Sequence, residues 1–245
     1  DIILCEDTRR SMQILSKFEI TNKLMSYHKF NERKVTEKII DLLKKNKIIS
    51  LISDAGTPTI SDPGSILVNK CIEENLLIFP VPGASAVTSA ISISGFSDQY
   101  IFYGFLPKQI NKLDNTLKRL CNLNFSIIFF ISGTKINFYI SQFKKYFSDR
   151  KILIAKEMTK IYEEFIRGDI KTIKNFSNHP KGELTVVLSK KIEEKNAKQE
   201  INESVKMEIK KMIKKYSHKD VVEYIAKKEN LSKKIVYNFC LKLKK

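Results

Sequence analysis

The chain has 245 residues, 42% of them hydrophobic and 10% aromatic, which excludes a disordered polypeptide and allows two domains with a small appendage. No apolar run approaches the roughly 20 residues of a membrane span, and no signal-peptide pattern opens the chain. The net charge of +17 points toward nucleic-acid phosphates, although a composition rich in Lys, Ile and Asn throughout raises the charge by itself.

The four cysteines, Cys5, Cys71, Cys121 and Cys240, are scattered without a C-x-x-C pair. They fit free thiols in a reducing cytoplasm better than a disulfide framework or a metal site, and no metal is expected.

In chain order, Asp1–Cys5 reads as the tail of a strand and Glu6–Arg10 as the turn after it. The chain opens without Met, so a preceding N-terminal piece is expected. Val35–Lys45 predicts an amphipathic helix, with Val35, Ile39, Leu42 and Leu43 on one face. A strand at Lys47–Ile52, a helix from about Ser65 to Glu74 and a short strand at Leu76–Phe79 follow. Strands alternating with helices at this spacing predict an α/β fold with a largely parallel sheet covered on both faces.

Two connections stand out. The first is Leu51-Ile52-Ser53-Asp54-Ala55-Gly56-Thr57-Pro58-Thr59-Ile60-Ser61-Asp62-Pro63-Gly64, whose breakers suffice to fix an irregular backbone. The second is Pro80-Val81-Pro82-Gly83-Ala84-Ser85-Ala86, where a turn opens into a helix whose first N–H groups are free for a ligand. A tight helix–sheet contact would give the second pattern equally well. In open α/β sheets ligands sit outside the carboxyl ends of strands, where both connections would lie. Neither matches a phosphate cradle, G-x-x-x-x-G-K-[ST] or G-x-G-x-x-G. A ligand with a ribose, an adenine and little phosphate fits better than a triphosphate or a dinucleotide.

From Lys190 to Lys245 there are 17 Lys, no Arg and 8 acidic residues, a net +9. Lys190–Gln199 reads as a linker, followed by helices at about Glu203–Tyr216, Lys219–Lys228 and Lys233–Leu243. Ser217 with Asp220 reads as a capping box and Ser232 as an N-cap. Three short helices with a basic last one suggest a helix-turn-helix-like module; a solvated Lys-rich surface is the plainer alternative. The expected division is 1–98 and 99–190 as two α/β domains, 191–202 as linker and 203–245 as the helical domain.

Ser53-Asp54-Ala55-Gly56-Thr57-Pro58 with Asp62-Pro63-Gly64, preceded by Cys5-Glu6-Asp7-Thr8-Arg9 and by His28 with Asn31-Glu32, resembles the small-subunit ribosomal RNA methyltransferases of the tetrapyrrole methylase superfamily. The likeness continues through Pro82-Gly83-Ala84-Ser85-Ala86, Gly104-Phe105-Leu106-Pro107, Lys156-Glu157-Met158-Thr159-Lys160 and Lys181-Gly182-Glu183, covering the chain in order. It implies two α/β domains with S-adenosylmethionine (SAM) in the cleft between them, and a small helical domain at the C-terminus. It also implies methyl transfer to the ribose 2′-oxygen of a cytidine in the decoding region of 16S rRNA, in the cytoplasm, by a homodimer. By the same resemblance Asp54, Ala55, Gly56, Thr57, Pro58, Ser85, Ala86, Ile131, Glu157 and Met158 line the SAM site. Three departures stand against the family's pattern. A first strand and its Pro- and Gly-containing loop would precede Asp1. Ile131-Ser132-Gly133-Thr134-Lys135 stands where Glu-Ser-Pro-His-Arg is usual, and Phe30 replaces a histidine.

A ribose hydroxyl is weakly acidic, so a base or a cation that stabilises the alkoxide would help the transfer. The candidates are Glu6, Asp7, Arg9, His28 and Glu157, with Glu32 and Lys156 beside them. Each also has an ordinary role, such as a helix cap for Glu6 or Asp7, and the base stays open among them. Arg9, Arg10, Lys156, Lys233, Lys234 and Lys242 are candidates for RNA contacts. Two alternatives remain: a tetrapyrrole C-methyltransferase on the same fold, and a non-catalytic RNA-binding assembly factor.

Overall fold

The structure, a computed structural model, describes residues 1–192, 201–229 and 231–243. Asp1–Ile192 form one compact unit and the residues after it a second. The first unit holds two sheets.

The smaller sheet has the order β2-β1-β3 and is parallel throughout, with β1 at Ile2–Cys5, β2 at Lys23–Ser26 and β3 at Ile49–Leu51. Helix α1, Thr8–Lys17, follows β1, and α2, Glu32–Lys44, follows β2. The face of α2 foreseen from its apolar spacing packs with α3, Ser65–Glu73, around Leu4, Tyr27, Ile39, Ile40 and Leu67. Register places Cys5 beside Ser26 and Leu4 beside Leu51, so the carboxyl ends of all three strands meet at one edge.

The larger sheet has the order β4-β5-β8-β6-β7, with β4 at Tyr100–Phe105, β5 at Ser126–Ser132, β6 at Lys151–Lys156, β7 at Glu164–Asp169 and β8 at Glu183–Leu188. Its strands alternate faces with period two. Ile127, Phe129, Ile131, Ile152, Ile154, Leu184 and Val186 join the core under α5, Ile110–Cys121, and α6, Ile136–Tyr146. Ile128, Leu153, Ala155 and Val187 face the other way, against Val87 and Ala90 of α4, Ala86–Ser94. Arg150 is fully buried where β6 begins, and its guanidinium donates to the carbonyls of Cys121 (3.1 Å), Phe125 (2.8 Å) and Ser189 (3.0 Å). It satisfies the end of α5, where carbonyls lack helical partners.

Three sequence expectations need correction. The expected parallel sheet holds for β1–β3, the region it was read from, but not for the larger sheet, where only β4–β5 is parallel, because β8 inserts antiparallel between β5 and β6, and β6–β7 form an antiparallel pair. Leu76–Phe79 is not a strand; it finds no ladder partner among the described residues and leaves Leu77 83% and Phe79 78% exposed. Glu6–Arg10 is more than a turn, since Asp7 caps α1 by accepting from the Arg9 N–H (2.9 Å).

Of the linker expected at 191–202, residues 193–200 lie outside the described residues. In the second unit α7, Glu203–Met212, α8, His218–Lys228, and α9, Lys233–Lys242, enclose Val205, Ile209, Val221, Ile225, Val236 and Cys240. Ser217 caps α8, accepting from the Asp220 N–H (3.3 Å) while its hydroxyl donates to the Asp220 carboxylate (2.7 Å). Ser232 occupies the N-cap position of α9.

Candidate active site

A cleft of about 420 Å³ opens in the first unit. Its floor is one rung of the larger sheet: Phe105 of β4 lies beside Phe130 of β5, Phe130 beside Thr185 of β8, and Thr185 beside Ala155 of β6. The two phenyl rings meet edge to face at 5.6 Å. Three loops wall this floor. Ala55, Gly56, Thr57, Ile60, Ser61 and Asp62 come from the connection after β3, Ser85, Ala86 and Val87 from the start of α4, and Glu157, Met158 and Lys160 from the turn after β6, with Glu183 beside them.

The loops are held rigidly. The Thr57 hydroxyl donates to the Ala84 carbonyl (3.2 Å), tying the first wall to the second. The Gly64 N–H donates to the Glu32 carboxylate (3.4 Å), and Arg10 pairs with Asp54 at 3.1 Å. Gly64 has φ +133°, and a Cβ there would stand 2.7 Å from both Leu51 and Thr59 side-chain carbons, so only glycine closes this loop. Thr59, Ser61, Glu157 and Thr159 all carry positive φ, at 71°, 68°, 51° and 67°. Such backbone costs on the order of 1–3 kcal/mol per residue and tends to gather at ligand sites. Here it gathers in two of the three walls.

The start of α4 matters for polarity. Ser85 sits in the N-cap position but its side chain makes no capping hydrogen bond, leaving N–H groups of the first turn for an anion at the positive end of the helix dipole. Asp62, Glu157 and Glu183 bring carboxylates to the cleft, and Lys160 pairs with Glu157 at 2.9 Å. Burial pushes the Asp62 carboxyl above its ordinary range; a hydrogen bond from Ser53 opposes that rise and the Asp54 charge adds to it. Glu6 is raised as well, by burial first and then by Asp62 and Asp54, with His28 pulling the other way. Asp7 goes in the opposite direction, to about 2, because the Arg9 side chain and N–H both donate to it.

Of the residues singled out from the sequence, Ala55, Gly56, Thr57, Ser85, Ala86, Glu157 and Met158 come together around the cleft. Asp54 turns to Arg10, and Pro58 is half-buried in the loop without lining the cleft. Ile131 is 1% exposed in the core under α5 and α6, on the sheet face away from the cleft. Glu6 does not line the cleft; it stands within electrostatic reach of Asp62, which does, and of His28. Arg9 is tied to Asp7 and Lys156 to Glu164 (3.2 Å). Lys233, paired with Glu223 (3.1 Å), and exposed Lys234 and Lys242 lie in the second unit. Asp62, Phe105, Lys160 and Glu183 were visible in the motifs without being assigned to the site. Phe130, Ala155 and Thr185 carried no local signal, because a rung across four strands has no sequence spacing.

The tetrapyrrole (corrin/porphyrin) methylases are the family whose pattern matches, over residues 1–174. The ribosomal RNA small subunit methyltransferase I of Thermotoga maritima is 43% identical over 78% of this chain and 87% of its own length. That of Rickettsia prowazekii is 38% identical over 100% of this chain and 88% of its own. Among solved structures, the methyltransferase CobJ superposes with a TM-score of 0.54 at 12% identity, covering 77% of this chain and 93% of that one. Cobalt precorrin-4 methyltransferase gives 0.51 at 16%, covering 77% and 83%. Those two likenesses speak for the fold alone. Fold and relatives agree, and the chain belongs to the tetrapyrrole methylase family and, within it, to the small-subunit ribosomal RNA methyltransferases I.

Proposed function

We propose that this methyltransferase binds SAM in the cleft and moves its methyl group to the ribose 2′-oxygen of a cytidine in the decoding region of 16S rRNA. The observation that carries the reading is the cleft itself, in a chain whose relatives are named for small-subunit ribosomal RNA. Its volume lies within the about 300–1,000 Å³ usual for small-molecule sites. Its lining also suits the ligand: free N–H groups at the start of α4 donate to a carboxylate, Asp62 and Glu183 accept from ammonium or hydroxyl groups, and Phe105, Phe130, Val87 and Met158 offer an adenine face. The three cleft carboxylates outnumber the lysine, which favours a cationic ligand.

When bound, SAM supplies an electrophilic methyl group on a sulfonium. The residues of the chain align the ribose oxygen in line with that group, and alignment is the larger part of the catalysis. Glu6 is the base we favour, accepting the 2′-hydroxyl proton on a carboxylate oxygen. Its raised affinity for a proton makes it a better acceptor than an ordinary carboxylate, whereas Asp7 at about 2 is a poor one. Glu157 is engaged by Lys160, and Arg9 by Asp7. His28, near Glu6, helps hold its charge. Arg10, paired with Asp54, and Lys156, paired with Glu164, line no part of the cleft and would have to exchange those partners for RNA phosphates, while Lys233, Lys234 and Lys242 would act from the helical tail.

Homodimer formation and a cytoplasmic location belong to the same proposal. No helix among the described residues is long and apolar enough to cross a membrane. The aromatic side chains on and around α6 give the dimer little surface, since Phe129, Tyr139, Phe143 and Phe147 are core, Phe130 floors the cleft, and of the α6 phenylalanines Phe138 is the exposed one. The test pairs calorimetry of SAM binding with labelled methyl transfer. Incorporation into small ribosomal subunits but not into precorrin-type substrates supports the reading. Transfer to the tetrapyrrole, or SAM binding without transfer to any RNA, defeats it.

A further inference from the structure

The sheet edge beside the cleft carries a side chain that methyl transfer, as described, leaves unused. The turn after β2 is pinned from several sides. The His28 N–H donates to the Asn31 side-chain oxygen (2.8 Å), and the Asn31 amide donates back to the Ser26 carbonyl (3.1 Å). The N–H groups of Asn31 and Glu32 both donate to the His28 carbonyl, at 3.0 and 2.9 Å. At the apex the Phe30 N–H donates to His28 Nδ1 (3.2 Å), and the Phe30 ring meets the His28 ring at 6.0 Å between centroids. The ring is otherwise in water, 95% exposed, more than any other large hydrophobic side chain among the described residues. None of the turn's hydrogen bonds needs a ring at that position.

Its surroundings are specific. Lys29, Arg33 and Lys34 are exposed around it and enter none of the ion pairs among the described residues. Glu32, two residues on, receives the Gly64 N–H, which fastens this turn to the loop lining the cleft. Parallel register sets the turn level with Glu6 and with the start of that loop. An exposed apolar ring flanked by three cations unpaired among the described residues is unlike the centre of a protein interface, where charge is depleted. It matches a base and its flanking phosphates, the pattern of single-strand binding in which bases stack on aromatic side chains beside a positive track.

We propose that Phe30 is a stacking platform for a nucleobase of single-stranded RNA entering the cleft, with Lys29, Arg33 and Lys34 on the neighbouring phosphates. The inference rests on RNA being the substrate. Because hydrogen bonds hold the turn, the platform is preorganised and little conformational freedom is lost on binding.

The experiment is steady-state methylation of purified small subunits by the full-length protein and its Phe30→Ala and Phe30→Trp variants, with SAM affinity and melting temperature measured alongside. Phe30→Ala is expected to raise KM for the subunit about tenfold, within the range that one aromatic–base contact supplies, with kcat and SAM affinity unchanged. Phe30→Trp, which keeps a stacking face, is expected to retain the unaltered KM. A KM within twofold of the unaltered protein in Phe30→Ala overturns the inference, and overturns it in favour of a contact between copies if that variant also loses self-association. An unaltered protein that transfers no methyl group to small subunits defeats the RNA reading, and this inference with it.

Discussion

Gly133 offers a perturbation whose size can be read from distances. It opens the single turn after β5, and its N–H donates to the Gly182 carbonyl (2.8 Å). A Cβ there would stand 2.0 Å from the Pro180 carbonyl oxygen and 2.7 Å from its carbon, both backbone atoms. Since side-chain carbons are not found closer than 3.0 Å to such atoms, Gly133→Ala must push the Pro180–Glu183 segment by about 1 Å. That segment ends in Glu183, which lines the cleft, and a Cβ on Gly182 would stand 3.0 Å from the Glu157 carboxylate, so the segment runs close to a second cleft residue. A 1 Å misplacement in an aligned site can cost about a hundredfold in rate, and the overpacking costs about 1–3 kcal/mol of stability. The assay is methyl transfer and SAM calorimetry on the variant beside Gly168→Ala, where nothing lies within 4 Å and no loss is expected. A folded Gly133→Ala protein with SAM affinity and turnover within twofold of the unaltered one would refute the reasoning.

Asp62→Asn should weaken SAM binding about tenfold by calorimetry, the cost of a lost polar contact in a partly buried site. Its stability should change with opposite sign. The Asp62 carboxyl is raised in the folded state, so the stability it contributes is present below about pH 4 and lost as pH rises through the higher folded value. The Asn variant should therefore melt higher than the unaltered protein at pH 7 and no higher at pH 4; equal melting at both would remove burial as the cause. Asp7→Asn should behave in reverse, losing stability at neutral pH that the unaltered protein sheds only as pH falls from about 4 toward 2. Arg150→Met should unfold at clearly lower urea, by about 3 kcal/mol, since carbonyls of Cys121, Phe125 and Ser189 lose their donor; an unchanged midpoint would mean that water replaces it. Deleting the chain from Glu203 onward should impair subunit methylation and spare SAM binding, and neutralising Lys233, Lys234 and Lys242 should flatten the salt dependence of RNA binding by roughly one unit of slope per lost contact. Parallel salt lines would assign those lysines to solubility.

What the sequence made legible was local. The apolar spacing of Val35, Ile39, Leu42 and Leu43 located α2 to within one turn, and the breakers after Ile52 marked a loop that walls the cleft. Ser217 and Asp220 gave the start of α8 because capping is a four-residue affair. Pairing was not legible. Nothing near β8 says that it runs antiparallel between β5 and β6, and so the floor residues Phe130, Ala155 and Thr185 could not be brought together in advance. Leu76–Phe79 has the apolar composition of a strand, yet a strand is made by its partner, and among the described residues it has none. Ile131 was placed at the site by likeness of position, while its side chain obeys the alternation of β5 and points to the core. Helix α1 escaped notice because its exposed Met12 and Ile14, with exposed Phe18 just after it, blur the apolar stripe that would announce it.

The central claim is that the methyl group goes to a ribose oxygen of small-subunit RNA. Small subunits lacking the modification, incubated with the full-length protein and methyl-labelled SAM, can be digested both to nucleosides, which identify the methylated atom, and to sequence-mapped RNA fragments, which locate it. The account predicts label in 2′-O-methylcytidine, abolished by Glu6→Gln in a protein that still binds SAM. Label on a base, or on a ribose outside the decoding region, would contradict it.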